Sequence, residues 1–312
     1  MLRYKADIRT LIFIVIYFTL AIGTWFLMPL PWYYLVPLII LNCTFSFFCA
    51  TIVHNTIHCP MFTNATANKV TQVLLSFTYG HPVSAYVPGH NFSHHKYTQT
   101  DKDSIRTTKA RFKWNLLNQL FFFYLMSGDI LKSEVRFTKK MYKEKPRWFR
   151  QYLFETILLN GVKLALLIID WKSFLLIVFI PHQYAAWGIV GTNFWQHEGC
   201  DENHPYNHSR NFTGKLLNWF AFNNGYHGIH HLRPGLHWSL LPKFHEKFIV
   251  PHIHPALNQK SLLKYLWVSC IWPGKRVDYL GNPVVLPPNV PDRDWVEDVP
   301  ISSNASALGA VK

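Results

Sequence analysis

Residues 32–58 read WYYLVPLIILNCTFSFFCATIVHNTIH. From Trp32 to Val53 there is no charged residue. That is long enough for one helix to cross a bilayer, which takes about 20 mostly apolar residues. The last five residues, His54-Asn-Thr-Ile-His58, place two imidazoles four positions apart. On a helix those positions share one face. An apolar span ending in paired imidazoles is the unit from which the rest of the chain is read.

Upstream, an uncharged run over residues 11–28 is separated from it only by a Pro29/Pro31 turn, so the two predict an antiparallel hairpin. Downstream, runs over 152–169 and 174–194 flank the short link Asp170–Ser173 and predict a second hairpin. Glu155 and Lys163 interrupt the third run and are expected to face the bundle interior or to snorkel. The expected fold is an all-α membrane protein of four transmembrane helices in two hairpins with a cytosolic helical cap. The basic start followed by an apolar run resembles a signal peptide, but the run is long and a second span follows at once, so it reads as the first anchor.

Composition agrees. Of 312 residues, 49% are apolar and only 15% charged, against about 25% charged in soluble chains. Disorder is excluded by the apolar and aromatic content. Five cysteines with no C-x-x-C pair do not form a disulfide framework. Lys and Arg number 31 against 17 acids. Three fall before the first span, fifteen between Cys59 and Arg150, eleven after Phe194, and one in the hairpin turns, with Lys163 inside a span. By the positive-inside rule both termini and the large loops are expected on the cytoplasmic side.

Further helices are expected over 114–126, 70–87 and 262–272, lying along the interface. Residues 1–282 read as one membrane domain, and 283–312 as a mobile, Pro-containing tail.

The chain carries 17 His, and nine are clustered: His54 and His58; His90, His94 and His95; His197 in NFWQH; and His227, His230 and His231. All emerge on the face that the basic loops mark as cytoplasmic. Neutral imidazole suits iron, zinc and copper, and nine exceed one ion's needs. A structural zinc would take four ligands, normally with Cys. A zinc hydrolase would need H-E-x-x-H, and position 55 is Asn. A metal transporter would be expected to place ligands at mid-span. The charge suits topology rather than nucleic acid, for which no motif is present. His81, His245, His252 and His254 are expected to be solvated surface residues.

Together, HNTIH, GHNFSHH, NFWQH and GYHGIHH around two hairpins resemble the membrane fatty-acid desaturase and hydroxylase superfamily, the integral-membrane non-haem di-iron oxidases, over about residues 10–255. The resemblance implies two iron ions (Fe2+/Fe3+), O2 and an external electron donor. By position the iron ligands would be His54, His58, His90, His94, His95, His197, His227, His230 and His231. Asn193 matches a position that in some members assists an iron directly or through water. Asp101, Asp103 and Glu198 are the acids nearest in sequence to orient the imidazoles. His182 is a candidate for lining an acyl tunnel, and His204 and His208 are reserve ligands.

Two features depart from acyl desaturases. The middle box is H-x-x-x-H-H where many carry H-x-x-H-H, and the first box is shorter than in acyl-CoA desaturases. The middle box and NFWQHEG look like alkane hydroxylases, and FNNGYHGIHHLRPGLHWSLLP looks like bacterial desaturases and carotenoid ketolases. Desaturation of an acyl chain is the leading expectation. Hydroxylation, terminal alkene or alkyne formation and carotenoid oxidation are the alternatives. The basic loop 96–150 reads as a contact for anionic lipid, or as a docking face for an acidic ferredoxin-like donor or acyl carrier protein. No haem-binding HPGG occurs, so the donor is expected to be separate.

Overall fold

The computed structural model describes residues 1–299 and is mostly helical. Its principal helices are α1 (Asp7–Phe26), α2 (Trp32–His58), α3 (Ala65–Tyr79), α4 (Asn115–Glu144), α5 (Pro146–Ile169), α6 (Trp171–His197), α7 (His227–Leu232) and α8 (Leu241–Phe248). Of these α1, α2, α5 and α6 are long and apolar enough to cross a membrane. The chain divides into two compact units, residues 1–87 with 138–189, and residues 88–137 with those from 190 onward.

In the first unit α1 packs on α2 across the link 27–31. Phe13 meets Phe45 and Phe48 at ring separations of 5.5 and 5.8 Å. Polar side chains on this inner face are paired. Asn42 donates to Thr24, and Ser46 donates to the Thr78 carbonyl at 2.6 Å. The outward faces of α1 and α5 expose Ile12, Val15, Phe154, Ile157 and Ile168, a surface suited to lipid rather than water. Glu155 and Lys163 turn inward. The carboxylate accepts the Ser84 backbone N–H and the Gln151 amide, and the ammonium donates to the Gly80 carbonyl.

The apolar run 70–87 is not one helix. Asn64 caps α3 by accepting the Ala67 N–H at 2.9 Å, and Gly80 ends it at φ +84° before a separate turn, Val83–Val87. A Cβ on Gly80 would lie 2.5 Å from the His182 side chain, so both conformation and space call for glycine.

The second unit is built around Ala110, Phe122, Met126 and Phe194. The segment expected as a short helix over 114–126 continues to Glu144. Its second half is charged, yet Met126, Ser133, Phe137 and Met141 fall on one buried stripe, which periodicity rather than apolarity reveals. A two-residue parallel pair joins Asn211–Phe212 to Asn258–Gln259. The helix expected at 262–272 spans Leu262–Ile271.

Pro283–Val299, expected as part of a loose tail, is anchored instead. Trp295 is 1% exposed, and Asp292 pairs with Arg106 and Lys109. Buried aromatic surface and paired charges, invisible in a Pro-rich composition, hold it down. Residues 300–312, the rest of the expected tail, lie outside the described residues.

Candidate metal centre

α2 carries its histidines on its last turn. His54 and His58 are buried, with ring centroids 5.4 Å apart. The chain therefore stays helical through the whole box, five residues past the end of the expected span.

In the second unit, Pro88–His94 forms a wide, π-type turn running into a short helix, His95–Tyr97. α6 ends on His197, and α7 presents His227, His230 and His231. Gly199 lets the chain leave α6, at φ +65°, where a Cβ would meet the Val277 carbonyl at 2.6 Å.

These elements bring imidazoles into two groups. In the first, His94, His197, His227 and His231 each offer a ring nitrogen, all within 4.8 Å of one another. The Nε2 atoms of His197 and His227 are 2.8 Å apart, and those of His231 and His227 are 3.1 Å apart. In the second, His95 Nε2 lies 3.1 Å from His90 Nε2 and 3.0 Å from His230 Nε2. Each His–His dipeptide is thus split, His94 from His95 and His230 from His231. Adjacent helical residues point about 100° apart at 3.6 residues per turn, so one dipeptide serves two groups.

Two of the outer nitrogens are fixed by bonds. His94 Nδ1–H donates to Asp103 Oδ2 at 3.0 Å, with both side chains wholly buried. His197 Nδ1–H donates to the His208 backbone carbonyl at 3.0 Å. Both Nε2 atoms then carry lone pairs, and His94 Nε2 is buried with no hydrogen-bond partner. Lone pairs gathered this closely repel unless a cation lies between them. Two nitrogens bound to one ion at about 2.1 Å are about 3.0–3.4 Å apart, close to the separations seen. Burial and the neighbouring imidazoles push the His231 pKa well below its usual value and keep it neutral, the form that binds metal. Burial alone would raise the Asp103 pKa. The His94 imidazole and the Gln99 and Ile105 backbone N–H groups outweigh it and hold the carboxyl below its usual range. The donor set fits a divalent metal.

The other sequence candidates have different partners. Asp101 accepts from Arg293 at 2.6 Å, and Glu198 is held by the Arg276 guanidinium through both oxygens. These correct the expectation that either orients an imidazole, because each acid lies closer to a cation. Asn193 donates to the Ile105 carbonyl at 2.9 Å. His182, in the first unit, is buried with its Nε2 2.9 Å from both the Tyr17 hydroxyl and the Phe77 carbonyl. His204 caps a turn by accepting the Tyr206 and Asn207 N–H groups, and the His208 side chain bonds Ser209. Of the four histidines expected at the surface, His245 is instead fully buried beside Asn258 and Tyr226. Sequence reasoning also missed the His208 carbonyl and the Arg276–Glu198 pair. A backbone acceptor has no residue signature, and a pair 78 positions apart leaves none in sequence.

A model of the fatty acid desaturase family matches residues 30–256, a range that contains every clustered histidine. The chain belongs to the fatty acid desaturase family. No curated protein matches it. As a fatty acid desaturase family member it is an oxidoreductase that modifies lipids, and membership implies a lipid substrate and a separate electron donor. Its histidine groups are able to hold metal.

Proposed function

We propose that this protein is an O2-dependent di-iron oxidase of the membrane that introduces a C=C bond into a fatty-acyl chain. The observation that carries the reading is the division of the clustered imidazoles of the second unit into two nitrogen-only groups with a family match across them. One iron is held by His94, His197, His227 and His231. The other is held by His90, His95 and His230, and His54 and His58 are further iron ligands of the chain, supported by their place in the family pattern.

Side chains alone cannot strip hydrogen from an unactivated methylene, so the iron pair with O2 supplies that oxidising power. Removing two hydrogens while O2 becomes two waters needs two further electrons and two protons. A ferredoxin-like donor supplies the electrons, and its docking face is the basic stretch 96–150, much of which is α4. The chain's own part is to fix the outer nitrogen of an imidazole so that the other ring nitrogen faces the metal, as Asp103 does for His94 and the His208 carbonyl for His197. The four apolar helices orient the acyl chain and exclude water. They form two hairpins, with both termini and the histidines on the cytoplasmic side, a reading supported by the Lys and Arg distribution. An acyl carrier protein is a second acidic partner suited to the same stretch. Hydroxylation is the second reading, favoured by the H-x-x-x-H-H spacing of the middle box.

The test is a mass-spectrometric profile of lipids and volatile hydrocarbons from a host expressing the chain, with His94→Ala as control. A new double bond in wild type alone supports desaturation. A hydroxy acid, a terminal alkene or alkyne, or an oxidised carotenoid reassigns the reaction. No product, together with purified protein free of iron, overturns the reading.

A further inference from the structure

The acid that holds His94 sits in an irregular loop. Between Tyr97 and the single turn Thr107–Lys109 there is no regular element, and Gln99 has φ +63°. Asp103 is tied within that loop, accepting the Gln99 N–H at 2.9 Å and the Ile105 N–H at 3.0 Å. Those bonds orient the carboxylate against the loop. They do not orient the loop itself.

Residues 290–298 do that from outside. Asp292 pairs with both Arg106 and Lys109, and Arg106 also donates to the Val290 and Asp101 carbonyls. Arg293 bonds Asp101 through its backbone N–H at 2.8 Å and its side chain at 2.6 Å. Asp298 accepts from Tyr97 at 2.6 Å and pairs with Lys102. The strap therefore grips the loop on both sides of Asp103. Its anchor is Trp295, packed against Phe137 with ring centroids 6.0 Å apart, whose indole N–H donates to Ser104 Oγ at 3.2 Å. Ser104 N–H donates to Ser93 Oγ at 3.0 Å, and Ser93 Oγ donates to the Lys102 carbonyl at 2.8 Å. Two hydrogen bonds thus link Trp295 to the residue preceding His94. The strap lies outside the region matched by the family, which ends at residue 256.

We propose that this strap is a positioning element for the metal-holding His94, with Trp295 and Asp292 as its two working residues. It holds the loop in the arrangement that aims Asp103 at the imidazole, and so governs how firmly His94 retains its ion. The proposal rests on the metal reading of His94 given above. Exposed ion pairs contribute little alone. Asp292 is different because it faces two cations in a largely buried setting, with Arg106 only 6% exposed at its side chain. Trp295 adds a large buried aromatic surface.

The test uses the full chain in detergent, loaded with Fe2+. Two readouts are needed: the rate at which a ferrous chelator removes iron, and amide hydrogen exchange over residues 98–107. Trp295→Phe keeps a ring in the hole and loses the N–H. Asp292→Asn loses the charge, and Asp292→Glu keeps it. Both losses should speed iron release by about tenfold, the scale seen when the group behind a metal-bound histidine is disturbed. Both should raise exchange over 98–107, and Asp292→Glu should stay near wild type in both readouts. Wild-type release and wild-type exchange in Trp295→Phe and Asp292→Asn overturn the proposal. His94→Ala serves as reference. If it keeps its full iron, the metal reading itself fails, while the exchange readout still tests the strap's grip without metal.

Discussion

His94 Nδ1 and Asp103 Oδ2 are 3.0 Å apart, and neither side chain is exposed. The pair fixes which nitrogen of His94 is free to face the cluster, since the proton on Nδ1 is committed to the carboxylate. Asp103→Asn keeps the size and loses the charge. It should weaken metal retention by about 10–100-fold, read as iron content after dialysis against a chelator. Unchanged iron content would remove Asp103 from the site.

The split of each His–His dipeptide makes a prediction about pairs. His94 and His197 belong to one group, and His94 and His95 belong to two. His94→Ala combined with His197→Ala should cost little more iron than either alone, since one ion is already lost. His94→Ala with His95→Ala should lose both. Iron per chain by elemental analysis distinguishes the two cases, and equal losses in both double variants would contradict two separate groups.

Glu198 and Arg276 form a buried pair with both carboxylate oxygens engaged, and the guanidinium also donates to the Ala110 and Thr107 carbonyls. Removing one partner leaves a charge without its mate, a loss of about 3–5 kcal/mol. Arg276→Met should therefore lower the melting temperature sharply. Arg276→Lys should not restore it, because one ammonium cannot span two oxygens and two carbonyls. Melting followed by tryptophan fluorescence in detergent checks this.

Gly80→Ala forces an L side chain into φ +84° and against His182 at 2.5 Å. Positive-φ strain alone is about 1–3 kcal/mol, and the contact adds to it. The variant should express poorly or melt several degrees lower, measured against Gly161→Ala, where a Cβ meets nothing within 4 Å.

His245 gives a pH dependence. Burial pushes its pKa down, outweighing the Asn258 hydrogen bond and the Glu246 charge, which act the other way. Its Nδ1 is buried without a partner, so a second proton would be stranded. With the folded pKa below the unfolded value of about 6.5, the unfolded chain binds more protons as pH falls through that value. Stability should be level above about pH 6.5 and decline below it. His245→Gln should flatten that decline between about pH 6.5 and 5 in thermal melts, an acid range set by the usual histidine pKa. An identical slope in the variant would assign the decline to other groups.

The long helices and the histidine boxes were legible because each is local. A charge-free run such as Trp32–Val53 has to be helical to satisfy its own backbone in hydrocarbon, and H-x-x-x-H needs only a single helix to align. The weaker readings had the same root. Beyond Met126 the α4 sequence is charged, and its buried stripe at Ser133, Phe137 and Met141 shows only in the helical period. The composition of the Pro-rich end hides the burial of Trp295, Val296 and Val299.

The amino-acid sequence by itself determined four apolar helices, nine clustered imidazoles and the family they indicate, because period, length and spacing are properties of neighbours along the chain. Only the tertiary structure decided which imidazoles gather into each group, and that Asp103 rather than Asp101 or Glu198 meets a histidine. It also decided that residues 290–298 clasp the loop between them. Those outcomes depend on distances between residues as far as 201 positions apart, and on which cation lies closer to each acid when the chain is packed.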